Sequence, residues 1–203
     1  MAEPSFFDVV RSQRGVRFYK PDPVSGEDVD RILRAAVRAP SASNKQDWVF
    51  VVVRDPGVKR RLGELYREGQ QRSRGPGSSA PPTRPQPGHF AQDMEHVPVI
   101  VMACIANGGT RALGMVQAAS IYPAVQNLML AAAALGLGTR LTTIWHSAEA
   151  EIKELLGIPD DYSPAALIPL GYPAEPDHLG GSLRSSVADV TFNDRWGNRP
   201  SAG

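Results

Sequence analysis

The stretch Gln117 to Leu135 constrains this chain more than any other. Ile121, Val125, Leu128, Met129, Ala132 and Leu135 recur at helical spacing, and most residues between them are also apolar. A helix apolar on most faces must be packed from several sides. Gly136 supplies its stop, since glycine accepts the left-handed conformation that ends helices. Pro123 falls in its first turns, where a missing N–H costs least. Such a helix is too apolar for a monomer's surface, so a second copy of the chain is expected to cover part of it.

The other elements build around it. Ser5 with Asp8 signals a short helix through about Gln13, and Ser25 with Asp28 repeats the signal. Val29, Ile32, Leu33, Ala36 and Val37 then mark an amphipathic helix that Pro40 stops. Buried strands are expected at Trp48 to Val53, Pro98 to Cys104, Gly138 to Ile144 and Ala165 to Leu170. Asp55-Pro56 opens a helix with Val58, Leu62, Leu65 and Tyr66 on its inner face, and Ser147 caps another that ends at Gly157. Gly69 to Gly88 is rich in glycine, proline and arginine and reads as a flexible loop, either a dispensable insert or a substrate lid. From Ala174 a tail runs to Gly203, with a short strand expected at Val187 to Phe192 and an aromatic anchor at Trp196. Strands alternate with helices but are too few for a doubly wound sheet, so the expected class is a single-domain layered α+β fold over residues 1–203.

Composition narrows the function. The 203 residues are 42% hydrophobic and carry a net charge of +1, with 22 basic against 21 acidic residues. That balance argues against a nucleic-acid binder. The single cysteine, Cys104, excludes an internal disulfide framework and a cysteine-rich metal site and reads as an inert core thiol. No signal peptide and no membrane-spanning run is visible, so a cytoplasmic protein is expected. His89, Asp93 and His96 could share a helix face and hold a metal, or simply lie on an exposed helix.

Nucleotide-binding glycine signatures and a nucleophile elbow are missing. Three segments remain. Gln13-Arg14-Gly15-Val16-Arg17 is either a solvated basic turn or a pair of arginines converging on an anion. Ala39 to Trp48 is either a capped loop or a run of hydroxyl and amide groups laid along a planar heteroaromatic ring. Gly136 to Thr143 is either a helix end and ordinary strand or a turn that presents Thr142 and Thr143.

Taken in order, these segments resemble the FMN-dependent nitroreductase family. The resemblance rests on Gln13 to Tyr19, Pro23-Val24, Ala39 to Trp48, Ala124 to Leu128, Gly136-Leu137-Gly138, Leu155 to Pro159 and Ile168 to Pro173. It implies a nitroreductase-like α/β sandwich, a mostly antiparallel sheet flanked by helices, as an intertwined homodimer with FMN at the subunit interface. Gln13, Arg14, Gly15 and Arg17 would hold the flavin's phosphate and its N1/C2 edge. Pro40 and Ser41 would contact the ring, Ala42 and Asn44 would belong to the same cofactor-binding turn, Thr142 and Thr143 would line the ring's other side, and Arg184 would reach the phosphate. Two positions depart from the family's box: Gln13 replaces an arginine and Gly15 a serine. Two side-chain phosphate ligands are thereby lost, which leaves the Gly15 N–H, Arg14 and Arg184 to compensate.

The activity implied is hydride transfer from NADH or NADPH to flavin N5, then onward to a nitroaromatic, quinone or related small-molecule acceptor in ping-pong fashion. No side-chain acid or base is required. Two other readings stand beside it: an FMN-dependent dehydrogenase or oxidase of a peptide or cyclodipeptide, and a flavin-sequestering binding protein.

Overall fold

The computed structural model describes residues 4–74, 89–109 and 113–199. Four antiparallel strands form the sheet: β1 (Trp48–Val53), β2 (Val99–Ala106), β3 (Gly138–Thr139) and β4 (Tyr162–Gly171), in the order β1-β2-β4-β3. β2 shows how strand periodicity sorts the core. Val99, Val101, Ala103 and Ile105 face one apolar layer, and Ile100, Met102 and Cys104 face the other. Helices α2 (Gly26–Ala36) and α4 (Met115–Ala134) cover the first face through Ile32, Ala36, Ile121, Val125 and Leu128. Helices α3 (Pro56–Arg74) and α5 (Glu149–Leu156) cover the second through Leu62, Leu65, Tyr66 and Ile152. The result is the expected α+β sandwich. The short α1 (Phe6–Ser12) precedes it, and Ser5 and Ser25 cap α1 and α2 as their sequence positions foretell.

Several expectations need correction. α3 continues past Gly69, so residues 69–74 are helical and not loop. Arg72 holds that last turn by donating to the Ser147 carbonyl and pairing with Glu151. The rest of the expected loop, residues 75–88, lies outside the described residues. Ser147 does not cap α5; its hydroxyl donates to the Gly69 carbonyl, and Ala148 takes the N-cap position. Residues 187–190 form a helical turn, α6 (Val187–Val190), because Ser186 caps it through the Asp189 N–H. Among the described residues Trp196 has no ring partner outside its own tail. It is 92% exposed and packs on Phe192 of the same tail. β1 is only partly buried, with Val49 42% exposed, since it is the sheet edge. α4 is buried along Ile121, Ala124, Val125, Leu128 and Ala132, but Met115 and Val116 at its start are exposed in one chain.

The third strand is shorter than its expected span to Ile144, for a readable reason. Gly138 and Thr139 pair with Gly171 and Leu170, and Thr142 pairs with Leu167 in the same register. That register sets Arg140 opposite Pro169, which has no N–H to donate. The ladder therefore lapses at Arg140 and resumes for one bridge at Thr142.

Candidate active site

Residues 13–19 leave α1 and are sewn to the end of the sheet. Gly15 bridges Thr139, and the Val16 N–H donates to the Thr139 carbonyl at 2.9 Å. Asp177 Oδ2 accepts the N–H groups of both Arg17 and Phe18. Val16 is wholly buried, and its side chain occupies the space that a Cβ at Gly138 would need. The segment is thus fixed by backbone and by Val16. Arg17 remains exposed, while the half-buried Arg14 donates to the Gly180 carbonyl at 3.4 Å.

A third arginine joins this pair. Arg140 is half-buried beside Gly15, and its Nε is buried with no hydrogen-bond partner among the described residues. Burial, then the neighbouring positive charge of Arg17, holds its pKa below the ordinary arginine value. A buried unpaired donor is costly and needs an explanation, such as an acceptor that a ligand supplies.

Aromatic and hydroxyl groups wall the same end. The Tyr66 hydroxyl lies 2.9 Å from Thr142 Oγ1 in a buried contact, and burial raises the Tyr66 pKa. His89 stacks on Phe90 at 5.0 Å and meets Phe18 edge-on at 5.5 Å. Its Nδ1 accepts the Ala91 N–H, which leaves its own proton on Nε2. Burial first, then Arg140 and Arg17, lowers the His89 pKa and keeps the ring neutral.

Gln13, Arg14, Gly15, Arg17 and Thr142 therefore gather at one end of the sheet, with Thr143 exposed next to them. Pro40, Ser41, Ala42 and Asn44 do not join them. Their turn is tied to the start of α4, where the Ala42 N–H donates to Ser120 Oγ at 3.1 Å. From Ser120 to Leu135, just past the helix end and before Thr139, α4 spans ~22 Å at its rise per residue. The helix thus holds the two groups apart within the chain. Arg184 is exposed and donates to the Leu183 carbonyl, four residues beyond the point where Gly180 crosses Arg14.

The turn itself is strained. Ser43, Asn44 and Gln46 have φ of 52°, 53° and 52°, in the left-handed region that side chains other than glycine enter at a cost. Ser41 Oγ holds it by accepting the Gln46 N–H, and the Gln46 amide donates to Asn44 Oδ1. Exposed strain of this kind concentrates at functional sites.

The other candidates recede. Asp93, Glu95 and His96 converge to within 4.8 Å, but His89 faces the aromatic wall instead of joining them. Asp93 pairs with His96, and Glu95 with Arg60. Burial pushes the Cys104 thiol up to about 12, as an inert core thiol requires. A groove of about 870 Å³, lined by Asn107, Lys153, Asp160 and Ser163 among others, lies at the far end of β2 and β4. Among the described residues no helix is long and apolar enough to cross a membrane.

Reading the sequence alone missed Arg140, Tyr66 and Asp177 as parts of this end of the fold. Arg140 depends on the strand register that sets it opposite Pro169, and nothing local in sequence ties the other two to residues so far away.

Known proteins are similar to this chain in sequence and in fold. The model of the nitroreductase family matches residues 10–172. An NADH dehydrogenase of Thermus thermophilus is 31% identical over 179 residues, 80% of this chain and 84% of that protein. A BluB-like flavoprotein from Clostridium difficile shares the fold with a TM-score of 0.77 at 22% identity, covering 95% of this chain and 100% of that one. NADPH:FMN oxidoreductase from Vibrio harveyi, solved in complex with NAD+, gives a TM-score of 0.74 at 20% identity, over 94% and 77%. The fold, the cationic end of the sheet and these likenesses define an oxidoreductase of the flavin type. More particularly, the chain belongs to the nitroreductase family.

Proposed function

We propose that the chain is an NAD(P)H-dependent oxidoreductase with FMN as its resident cofactor, and that two copies of the chain build each site. The observation that carries this reading is the cationic end of the sheet, where Arg17 and Arg140 lie together beside the Arg14–Gly15 backbone and, among the described residues, a buried Nε has no acceptor. A dianionic cofactor fits that donor set. The relatives support the same reading through their names, one an NADH dehydrogenase and one an NADPH:FMN oxidoreductase.

Arg14, the Gly15 N–H and Arg17 would hold the cofactor, and Thr142 would line it. FMN supplies the hydride-accepting and hydride-releasing chemistry when bound. The chain supplies placement. Val16 and Asp177 keep the arginine-bearing backbone from moving. Tyr66 orients the Thr142 hydroxyl. His89, held neutral, adds no further positive charge to a site that must also admit a nicotinamide. The strained turn from Pro40 to Asn44 would come from the second copy, since its own chain keeps it at the other end of α4. Nicotinamide and acceptor would then use one open face in turn, a ping-pong order, with a nitroaromatic, a quinone or a related compound as acceptor.

Purified protein under anaerobic conditions decides the matter. A yellow protein that NADH or NADPH decolourises and a quinone or nitroaromatic re-colours is the expected result. A yellow protein that neither nicotinamide bleaches would favour the peptide dehydrogenase or the flavin-sequestering reading, and a colourless one that refuses added FMN would overturn the cofactor assignment.

A further inference from the structure

Arg140 carries an inference of its own, one that rests on the FMN reading. We propose that Arg140 binds the phosphate of FMN and replaces the two side-chain ligands absent at Gln13 and Gly15.

Three observations lead there. Arg140 Nε is buried and has no acceptor among the described residues, although other buried side-chain donors of this chain find one, as Lys59 Nζ does in the Val97 carbonyl. Among the described residues the carboxylate acting on Arg140 is that of Asp177, and it gives its Oδ2 to the N–H groups of Arg17 and Phe18. A half-buried guanidinium next to another arginine, with no carboxylate bound to it, is set for an anion from outside the chain.

Gly15 supplies the second. A Cβ there would stand 3.8 Å from Arg140 Nη1 and 3.9 Å from its Cγ, in ordinary van der Waals contact, so the guanidinium lies directly beside the position from which the family's serine is missing. The third is the broken ladder. Pro169 cannot pair with Arg140, so the residue leaves the sheet's hydrogen bonding and lies beside the backbone of the box. A guanidinium also matches a phosphate in two parallel hydrogen bonds, which a lone hydroxyl cannot do.

The test compares two flavins that differ only in the phosphate. The full chain, freed of flavin, is titrated with FMN and with riboflavin by flavin-fluorescence quenching, as wild type, Arg140→Met and Arg140→Lys. Arg140→Met should weaken FMN ~10-fold or more and leave riboflavin within about two-fold of wild type, and Arg140→Lys should recover part of the loss. The FMN dissociation constant should also lose part of its salt dependence in Arg140→Met. Retained riboflavin binding certifies the fold of each variant. Equal losses for both flavins would overturn the phosphate assignment and put Arg140 at the ring or in the fold. Unchanged FMN affinity would overturn it outright. A wild-type chain that binds neither flavin would refute the FMN reading itself, an outcome distinct from the other two.

Discussion

Single residues at the end of the sheet are tuned by what surrounds them, and two glycines make the point by contrast. Gly138 has Val16 Cγ2 within 2.6 Å of where a Cβ would stand, and Val16 is fully buried and β-branched. Gly138→Ala must displace it and should cost about 1–3 kcal/mol, seen as a lower urea midpoint with an unchanged slope. Gly26, in the first turn of α2, has nothing near its would-be Cβ, so Gly26→Ala should be neutral or stabilising by about 0.4–1 kcal/mol. A Gly138→Ala chain as stable as wild type would show that the box is not wedged against β3. His89 gives the pH dependence. Its folded pKa lies below the ordinary 6.5, so below that pH the unfolded chain takes up a proton that the folded one resists. Its contribution is present above about pH 6.5 and is lost as pH falls through the folded value. Denaturation curves between pH 5 and 7 should therefore slope less in His89→Phe than in wild type, and parallel curves would refute the assignment.

At the scale of elements, the turn at residues 41–46 and the helix it leans on should act as one unit. Ser120 Oγ accepts the Ala42 N–H and donates to the Val116 carbonyl, so it ties a strained turn to α4. Ser120→Ala frees that N–H in a partly exposed place and should lower global stability by only about 0.5–1.5 kcal/mol. Under the proposed reading it should weaken flavin binding by more than that stability loss suggests, because the turn must then be ordered on binding. Flavin affinity equal to wild type would show the turn to be uninvolved. Much at this scale was legible in sequence. Ser5 and Ser25 announced the first two helices, and the apolar runs Pro98 to Cys104 and Ala165 to Leu170 announced β2 and β4 as buried strands, because caps and apolar runs are local. The failures were non-local. Gly69 and its polar neighbours look like loop until Ser147 and Glu151 fasten that turn of α3 from elsewhere in the chain. Thr142 looks like mid-strand until Pro169 breaks the ladder between it and Thr139. Among the candidate residues, Arg14, Gly15 and Arg17 could be grouped from sequence because they form one short segment. Arg140 waits on a pairing partner, and Asp177 lies about 160 residues from the backbone it holds.

The molecule as a whole poses one question: how the two groups of candidate residues meet. One chain puts the arginine-bearing box at one end of α4 and the strained turn at the other, ~22 Å apart along the helix from Ser120 to Leu135. The same helix exposes Met115 and Val116, and the tail exposes Leu183, Val187 and Trp196. Apolar surface of this kind is what a second copy would cover. If each site takes its box from one copy and its turn from the other, two defective chains can repair each other. Arg17→Glu reverses the charge of the box, and Ala42→Trp, at an exposed position, fills the space before the turn. Neither variant alone should hold flavin, since every site in such a dimer carries the defect. Unfolded together and refolded in equal amounts, about half of the dimers should pair one variant with the other. Each of those has one site spoiled twice and one site intact, so the mixture should bind about a quarter of the flavin that wild type binds. A mixture that binds no more than its parents would mean that box and turn serve one chain separately, and the two-copy site would have to be abandoned.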